Sequence, residues 1–253
     1  MLTIPVLDLR AGRVVRAMGG LRDRYQPMTS ALCPSPVPGR VIEAYRTLYP
    51  FPIFYIADLD AIEHTGNNRP AVDELLAAFP DAVFWLDAGF AHAQELATLS
   101  NSPRCRPVLG SESHHQVDTL VALMQAWKER DPILSLDFRH ERLLGPSELL
   151  INPELWPQDV ILMRLDRVGT GHGPGDDALQ ARVRWEGRRY YAAGGVRDGS
   201  DLIRLAQLGY AGVLVASALH DRKVAHSEIE AAMRITETFS HAPSWRAGDK
   251  DKG

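Results

Sequence analysis

The apolar residues of this chain fall into two alternating kinds of segment. Short runs of consecutive apolar residues are typical of strands that are buried on both faces, as in a parallel sheet covered by helices. Segments with apolar residues at helical spacing follow most of these runs. The pattern predicts eight strands, at 3–9, 52–60, 82–89, 106–111, 132–137, 159–165, 190–193 and 212–217. A further short strand is predicted at 14–16.

The predicted helices lie between these strands, at 40–48, 71–79, 91–99, 115–128, 176–183, 202–208 and 227–239. Eight strands in 253 residues, most of them followed by a helix, indicate a (β/α)8 barrel. The alternative is an open doubly wound sheet, which usually carries a GxGxxG sequence after its first strand. That sequence is absent here. We therefore predict one α/β domain, a TIM barrel over 1–240, and a polar, disordered tail over 241–253.

The two halves of the chain resemble each other. The sequence VFWLDAGFAHAQEL followed by RPVLGSES is similar to YYAAGGVRDGSDL followed by VLVASAL. Each half places a glycine turn after its third strand and a small polar pair after its fourth. A barrel with a half-barrel internal repeat and a phosphate site in each half would have this pattern.

Composition narrows the class of protein. A net charge of −4 provides no basic surface for nucleic acid. No apolar run approaches the ~20 residues of a membrane span, and the N-terminus lacks a signal-peptide pattern. Cys33 and Cys105 have neither disulfide nor metal spacing, and the nine histidines include no HExxH sequence. These features predict a cytoplasmic enzyme without a metal site, which binds neither nucleic acid nor membrane.

A glycine pair ends the seventh predicted strand. Gly194 and Gly195 can adopt positive φ and allow a ligand close to the backbone. Outward-facing N–H groups of such turns bind anions, most often phosphate. The alternative is a tight strand–helix turn with no ligand. Helix-capping residues follow at 198–201, and Gly209 is expected to end the helix.

Aspartates stand at the ends of four predicted strands. They are Asp8, Asp58, Asp87 and Asp137. Catalytic groups of barrels of this kind lie at the carboxyl ends of the strands. Asp8 and Asp137 belong to the first and fifth strands, on opposite walls, so they can act as base and acid once their pKa values differ. A single strand-end aspartate can equally be a helix cap.

Seven segments together resemble a known family. They are IPVLDLRAGRVVRA, IADLDA with the nearby GNN, VLGS, LSLDFR, GTGHGPG, AAGGVRDGSDL and GVLVASAL. Their order and spacing are similar to those of the histidine-biosynthesis barrels, over about residues 1–235. The family contains the phosphoribosylformimino-5-aminoimidazole carboxamide ribotide isomerase and a sister cyclase. The opening strand and the loop after the second strand resemble the isomerase branch most.

The resemblance implies an Amadori rearrangement of an aminoaldose to an aminoketose, without a cofactor. It implies that Asp8 removes the proton beside the imine and that Asp137 positions or polarises a small phosphorylated substrate. Asp166 is the candidate second acid, with His172 as its alternative. The implied phosphate-binding residues are Gly194, Gly195, Ala216 and Ser217 on one side and Gly89, Gly110 and Ser111 on the other. Arg16, Gly19, Asp58 and Thr170 complete the predicted binding residues. The sequence leaves open a monomer or a weak homo-oligomer.

This sequence departs from the family pattern in several places. The Asp-Gly-Thr of the sixth strand's loop is Val168-Gly169-Thr170, and valine cannot transfer a proton. The Gly-Gly-Gly of the third strand is Asp87-Ala88-Gly89, which places an anion where a phosphate should bind. A carboxylate ~4 Å from a phosphate costs on the order of a few kcal/mol unless a cation intervenes. Met163-Arg164 and Ala216-Ser217 are further replacements. The phosphate site of the seventh strand therefore fits the family better than the opposite site.

Three functions follow as hypotheses. The first is an isomerase that uses Asp8 and Asp137, acting either in the histidine pathway or, as a diverged paralogue, on a singly phosphorylated substrate such as one in pterin- or furan-type cofactor assembly. The second is a non-catalytic barrel that binds phosphate. The third is an unrelated aldolase, which usually needs a Schiff-base lysine on a strand or metal ligands. The four lysines lie on predicted helices, loops or the tail, which disfavours the aldolase.

Overall fold

Eight parallel strands close into the barrel that the sequence predicts. The computed structural model describes residues 1–99, 102–175 and 183–240. Its strands are β1 (Leu2–Arg10), β2 (Arg13–Arg16), β3 (Gln26–Pro27), β4 (Ile53–Asp58), β5 (Val83–Asp87), β6 (Cys105–Gly110), β7 (Ile133–Arg139), β8 (Arg142–Leu143), β9 (Asp159–Arg164), β10 (Arg189–Ala193) and β11 (Gly212–Val215). The ring order is β1-β4-β5-β6-β7-β9-β10-β11, and β11 pairs with β1 to close it. The short β2, β3 and β8 pair antiparallel beside the ring.

Helices follow most of the barrel strands. They are α1 (Pro38–Leu48), α2 (Leu59–Ile62), α3 (Arg69–Ala78), α4 (Val117–Ala126), α5 (Gly199–Gln207), α6 (Ser217–His220) and α7 (His226–Ser240). The helix predicted at 91–99 is wrong, since Ala93–Thr98 forms a 3-10 helix. There the Glu95 carboxylate accepts hydrogen bonds from the N–H groups of Ala91 and His92, which fixes a tight turn. The predicted helix at 176–183, except Val183, and the predicted tail at 241–253 lie outside the described residues.

The core has two layers, one inside the barrel and one between the strands and the helices. Side chains alternate between these layers because the strand period is two. Trp85 packs inside the barrel, so Asp87, two residues later on β5, points inward as well. On β7, Ile133 packs inside the barrel, so Asp137, four residues later, also points inward. The same alternation turns Asp8 inward on β1. The inward apolar residues are Ile4, Tyr55, Trp85, Val108, Ile133, Ile161, Tyr191 and Leu214.

A buried ion cluster fills the amino end of the barrel. The Asp159 side chain is fully buried and accepts hydrogen bonds from Arg106 at 2.8 Å and from Arg189 at 2.6 and 2.8 Å. The Tyr191 hydroxyl donates to the same carboxylate at 3.1 Å, and the Arg106 guanidinium lies 5.5 Å from the centre of the Trp85 ring. A buried carboxylate is tolerated where several partners compensate its lost hydration. The cluster closes this end of the barrel, opposite to the strand-end aspartates.

A buried histidine holds α6 against β1. His220 Nε2 lies 2.9 Å from the Tyr45 hydroxyl and Nδ1 lies 3.0 Å from Ser30 Oγ. Tyr45 in turn donates to the Val6 carbonyl at 3.0 Å. Burial lowers the pKa of His220 to about 4, so the ring is neutral near pH 7. The network fixes the position of the strand that carries Asp8.

Along the described chain, no helix combines the length and apolar character needed to cross a membrane.

Candidate active site

A cavity with about 870 Å³ of empty space opens at the carboxyl end of the barrel strands. Its polar lining comes from strand ends and from the segments that follow them. The charged lining residues are Asp8, Arg22, Asp87, Glu112 and Asp137. Tyr25, Tyr55 and Ser217 add hydroxyl groups, and Gly194 and Gly195 contribute backbone. Cavities at this end of a TIM barrel are where active sites form.

Asp8 and Asp137 lie on opposite walls of this cavity. Their strands, β1 and β7, are four places apart in the ring of eight, whichever way one counts. In the described part of the chain, the Asp8 carboxylate has no hydrogen-bond partner. Burial raises the pKa of Asp8 to about 7, and the positive charge of Arg22 opposes the rise. Asp8 can therefore exchange a proton with a ligand near neutral pH.

Asp137 is more enclosed than Asp8. Its carboxylate accepts hydrogen bonds from Ser135 Oγ at 2.7 Å, from the Glu112 N–H at 3.1 Å and from Ser111 Oγ at 3.3 Å. Burial raises the pKa of Asp137 to about 8, with further contributions from the negative charges of Glu112 and Asp87. Asp137 therefore holds a proton at pH 7, where it can act as an acid.

Asp87 lies beside Asp137. A side-chain carbon placed on Gly110 would be 3.2 Å from Asp137 Oδ2 and 3.6 Å from Asp87 Oδ2, so both carboxylates reach the same strand end. Asp87 accepts hydrogen bonds from the Tyr55 hydroxyl and the Gly89 N–H, each at 3.1 Å. Burial raises the pKa of Asp87 to about 6.

The predicted second phosphate site is occupied by these acids. The N–H of Gly89 binds Asp87, Ser111 Oγ binds Asp137, and Gly110 faces both carboxylates. Gly89 also packs tightly, because a side-chain carbon there would lie 2.9 Å from the backbone of Ile62. Gly89, Gly110 and Ser111 therefore surround carboxylates rather than an open anion site.

The glycine pair after β10 lines the cavity and also forms a tight turn. Gly194 and Gly195 have φ values of 102° and 83°, which favour glycine. A side-chain carbon on Gly194 would lie 2.5 Å from the Arg164 carbonyl oxygen, and one on Gly195 would clash with the Gly173 carbonyl oxygen. Ala216 and Ser217, at the end of β11, line the same cavity. These four residues form the region predicted to bind phosphate.

Gly195→Ala is expected to destabilise the protein by about 3 kcal/mol, because it combines positive φ with a clash against fixed backbone. Urea unfolding measures the change. Gly187→Ala is the matched control, since Gly187 has a φ of 79° with no atom within 4 Å of the added carbon. The control is expected to lose only the ~1 kcal/mol of an unfavourable φ. Equal losses in the two variants would contradict the close packing of Gly195 on Gly173.

Several predicted site residues lie away from the cavity wall. Asp58 is the N-cap of α2 and accepts hydrogen bonds from the N–H groups of Ala61 and Asn68 and from the Asn68 side chain. Of the two roles that the sequence allowed for a strand-end aspartate, catalytic group or helix cap, Asp58 has that of a helix cap. Arg16 forms an ion pair with Asp221 at 2.8 Å.

The other three predicted site residues also lie outside the cavity lining. Asp166 lies 3.9 Å from Arg164 Nε and 3.8 Å from His140 Nδ1, and its neighbour Leu165 lines the cavity in its place. Thr170 Oγ1 donates to the Arg167 carbonyl at 2.9 Å. The Gly19 N–H donates to the Val168 carbonyl at 2.8 Å. The structure does not bring Asp166, Thr170 or Gly19 into the lining.

Sequence reasoning missed two charged residues of the cavity. Arg22 lies in the loop after β2 and forms an ion pair with Glu112, which follows β6. The charged composition of the loop at 19–27 was a signal for Arg22, since a plain connection is shorter and less charged. Glu112 carried no such signal. In the described part of the chain no group of three or more His, Cys, Asp or Glu side chains has the geometry to hold a metal ion.

Comparisons with known proteins match the whole barrel. A family model described as histidine biosynthesis protein matches residues 2–225. An uncharacterized protein of Methanocaldococcus jannaschii is 29% identical over 223 residues, which cover 87% of this chain and 93% of the relative. A phosphoribosyl imidazole-4-carboxamide isomerase of Deinococcus radiodurans is 25% identical and covers 86% and 93%. The isomerase of the same name from Thermus thermophilus is 27% identical and covers 88% and 96%.

A solved structure has the same architecture. The crystal structure of 3-hexulose-6-phosphate synthase from Salmonella typhimurium superposes with a TM-score of 0.58. It is 18% identical, and the match covers 79% of this chain and 93% of that one. At this identity the likeness supports the barrel fold alone.

Proposed function

The chain belongs to the histidine biosynthesis protein family, and on that premise we propose that it is a sugar-phosphate isomerase that converts an aminoaldose to an aminoketose. One observation carries the proposal: Asp8 and Asp137 face each other across one cavity, on opposite walls of the barrel. Two carboxyl groups whose surroundings give them different proton affinities can act as base and acid. The isomerases among the relatives support the same reaction class.

The two acids account for each proton of the reaction. Protonated Asp137 donates its proton to the ring oxygen of the sugar, so the ring C–O bond breaks while the nitrogen lone pair forms a C1–N double bond, which gives an iminium ion. Ionised Asp8 then removes the proton from C2, and the electron pair moves into a C1–C2 double bond to give an enaminol. Asp8 then returns its proton to C1 and ionised Asp137 takes the proton of the C2 hydroxyl group, so the aminoketose forms and both acids regain their starting states. The substrate is only rearranged, so no oxidant or reductant is consumed.

The lining of the cavity supports a substrate with one phosphate group. Gly194, Gly195 and Ser217 offer backbone N–H groups and a hydroxyl on one side. The opposite side holds Asp87, which is mostly ionised at pH 7 because its pKa is about 6, and this charge would repel a second phosphate. We place the phosphate at the glycine pair and the reacting carbons between Asp8 and Asp137.

Binding and turnover of two probes test this proposal. The first is an N-aryl ribosylamine 5-phosphate, and the second is the same compound with a second phosphate on the aryl end. We expect turnover of the first compound and at least about tenfold weaker binding of the second, since charge repulsion of about 1.4 kcal/mol already gives that ratio. Isothermal titration gives the affinities, and conversion is followed by absorbance.

Variants of Asp87 separate charge from size in this test. Asp87→Asn removes the charge and keeps the size, whereas Asp87→Gly removes both. Both variants are expected to bind the doubly phosphorylated probe more tightly than the natural protein does. Tight binding of that probe by the natural protein would contradict the single-phosphate assignment. Growth rescue of a histidine-requiring strain that lacks the isomerase would also contradict it. Phosphate binding without turnover of any aminoaldose would instead favour the non-catalytic barrel.

A further inference from the structure

An ion pair between Arg22 and Glu112 stands inside the cavity and is built from two distant segments. Arg22 belongs to the loop that follows β2, and Glu112 belongs to the segment that follows β6. About a quarter of each side chain is exposed, 26% for Arg22 and 21% for Glu112. The pair is therefore partly shielded from solvent, where a charge acts on its neighbours more strongly than it does in water.

A hydrogen bond to its backbone carbonyl holds Arg22 in place. The Arg10 guanidinium donates to the Arg22 carbonyl at 2.8 Å, and Arg10 is fixed in turn by both Glu63 carboxylate oxygens at 2.7 Å. Glu112 is held from the other side, because its N–H donates to the Asp137 carboxylate. Each member of the pair is thus tied to a different wall of the barrel.

The charged groups around Asp8 and those around Asp137 have opposite signs. Arg22 is the charged group that acts on Asp8, and the Asp8 charge acts in turn on the neighbouring Tyr25, Tyr45 and Tyr55. The groups that act on Asp137 are Glu112, Asp87, Ser111 and Ser135, of which Glu112 and Asp87 carry negative charge. Asp87 itself is acted on by Arg22, Glu112 and Tyr55. The cation of the pair therefore favours ionisation of Asp8, while the anion of the pair opposes ionisation of Asp137.

We propose that Arg22 and Glu112 are a positioning pair that gives the two acids their opposite roles, the guanidinium keeping Asp8 ionised as the base and the Glu112 carboxylate keeping Asp137 protonated as the acid. The roles themselves rest on the proposed function. The electrostatic effect of the pair does not, because it exists in the resting protein without substrate.

Carboxyl titration of the resting protein tests the pair. The protein is labelled with aspartate carrying ¹³C in the side-chain carboxyl group, and the signals of Asp8 and Asp137 are identified by their loss in Asp8→Asn and Asp137→Asn. Arg22→Gln is expected to raise the pKa of Asp8 by about one unit, and Glu112→Gln to lower the pKa of Asp137 by about one unit. Arg24→Gln is the matched control, since Arg24 is exposed in the same turn and lies outside the cavity lining.

The direction of the Asp8 pKa shift in Arg22→Gln separates the proposal from a purely structural role. If the pair only closed the mouth, either substitution would admit water, and the raised pKa values of both acids would fall in both variants. A fall of the Asp8 pKa in Arg22→Gln, or no change beyond that of Arg24→Gln, would overturn the proposal. An unchanged or raised Asp137 pKa in Glu112→Gln would overturn it as well.

Activity measurements show which proposal fails. With an active enzyme, the acid limb of the pH profile of kcat/KM moves to higher pH in Arg22→Gln, and the basic limb moves to lower pH in Glu112→Gln. If no aminoaldose phosphate is turned over while the carboxyl titrations shift as expected, the proposed reaction is wrong and the electrostatic pair stands. If turnover is found but the titrations do not shift, the pair is wrong and the reaction stands.

Discussion

Asp8→Asn is expected to lower kcat/KM by about 10²- to 10⁴-fold, which is the range for loss of a general base. The amide cannot accept the C2 proton of the substrate, although it has nearly the size of the carboxylate. In the described part of the chain the carboxylate has no hydrogen bond to lose, so the substitution should leave the fold intact. Kinetics at a pH between the pKa values of Asp8 and Asp137, about 7 and about 8, give the clearest difference, because there the largest fraction of the protein has Asp8 ionised and Asp137 protonated.

Two control measurements show whether the loss of activity in Asp8→Asn has a cause other than loss of the base. The phosphate affinity of Asp8→Asn, measured by titration calorimetry, should stay within about twofold of the natural value, since Asp8 lies on a different strand from the glycine pair. Asp23→Asn, an exposed aspartate of the loop after β2, serves as the matched substitution and should retain full activity. Retention of activity in Asp8→Asn would exclude Asp8 as the base.

The inward direction of the three strand-end acids that line the cavity could be predicted from the sequence, because it depends only on the alternation of side chains along each strand. Continuous apolar runs indicate strands buried on both faces, and eight of them indicate a barrel. The period of two and the position at the strand end then direct Asp8, Asp87 and Asp137 to the same mouth. The ring order confirms that Asp8 and Asp137 come from opposite walls.

The partners of these acids could not be predicted, because they come from segments far apart in sequence. The Arg22–Glu112 contact joins residues 90 positions apart and depends on how one loop folds over the mouth. Asp58 has the same sequence context as the other strand-end acids. Only the folded chain shows that Asn68 and the start of α2 satisfy its carboxylate. Local pattern thus gives the direction of a side chain, whereas tertiary contacts determine its proton affinity.

The same crowding of acids that suits proton transfer opposes stability at high pH. Asp8, Asp87 and Asp137 all have pKa values raised by burial, to about 7, 6 and 8. For each, the folded state binds protons more tightly than the unfolded chain does, so stability falls as the pH rises through the raised pKa. Function and stability therefore make opposite demands on these positions.

Asp137→Asn is accordingly expected to make the protein more stable at pH 9 and catalytically deficient. An unfolded aspartate titrates near 3.8 and folded Asp137 near 8, so the natural protein loses stability between these values. The amide stays neutral, can accept from the Glu112 N–H and can donate to Ser135 Oγ. We expect a gain on the order of 3 kcal/mol in the free energy of unfolding at pH 9 and little change near pH 4. Urea unfolding at both pH values measures it, with the exposed Asp23→Asn as control. A loss of stability at pH 9 would mean that Asp137 is ionised and well stabilised in the fold, which would remove its role as the acid.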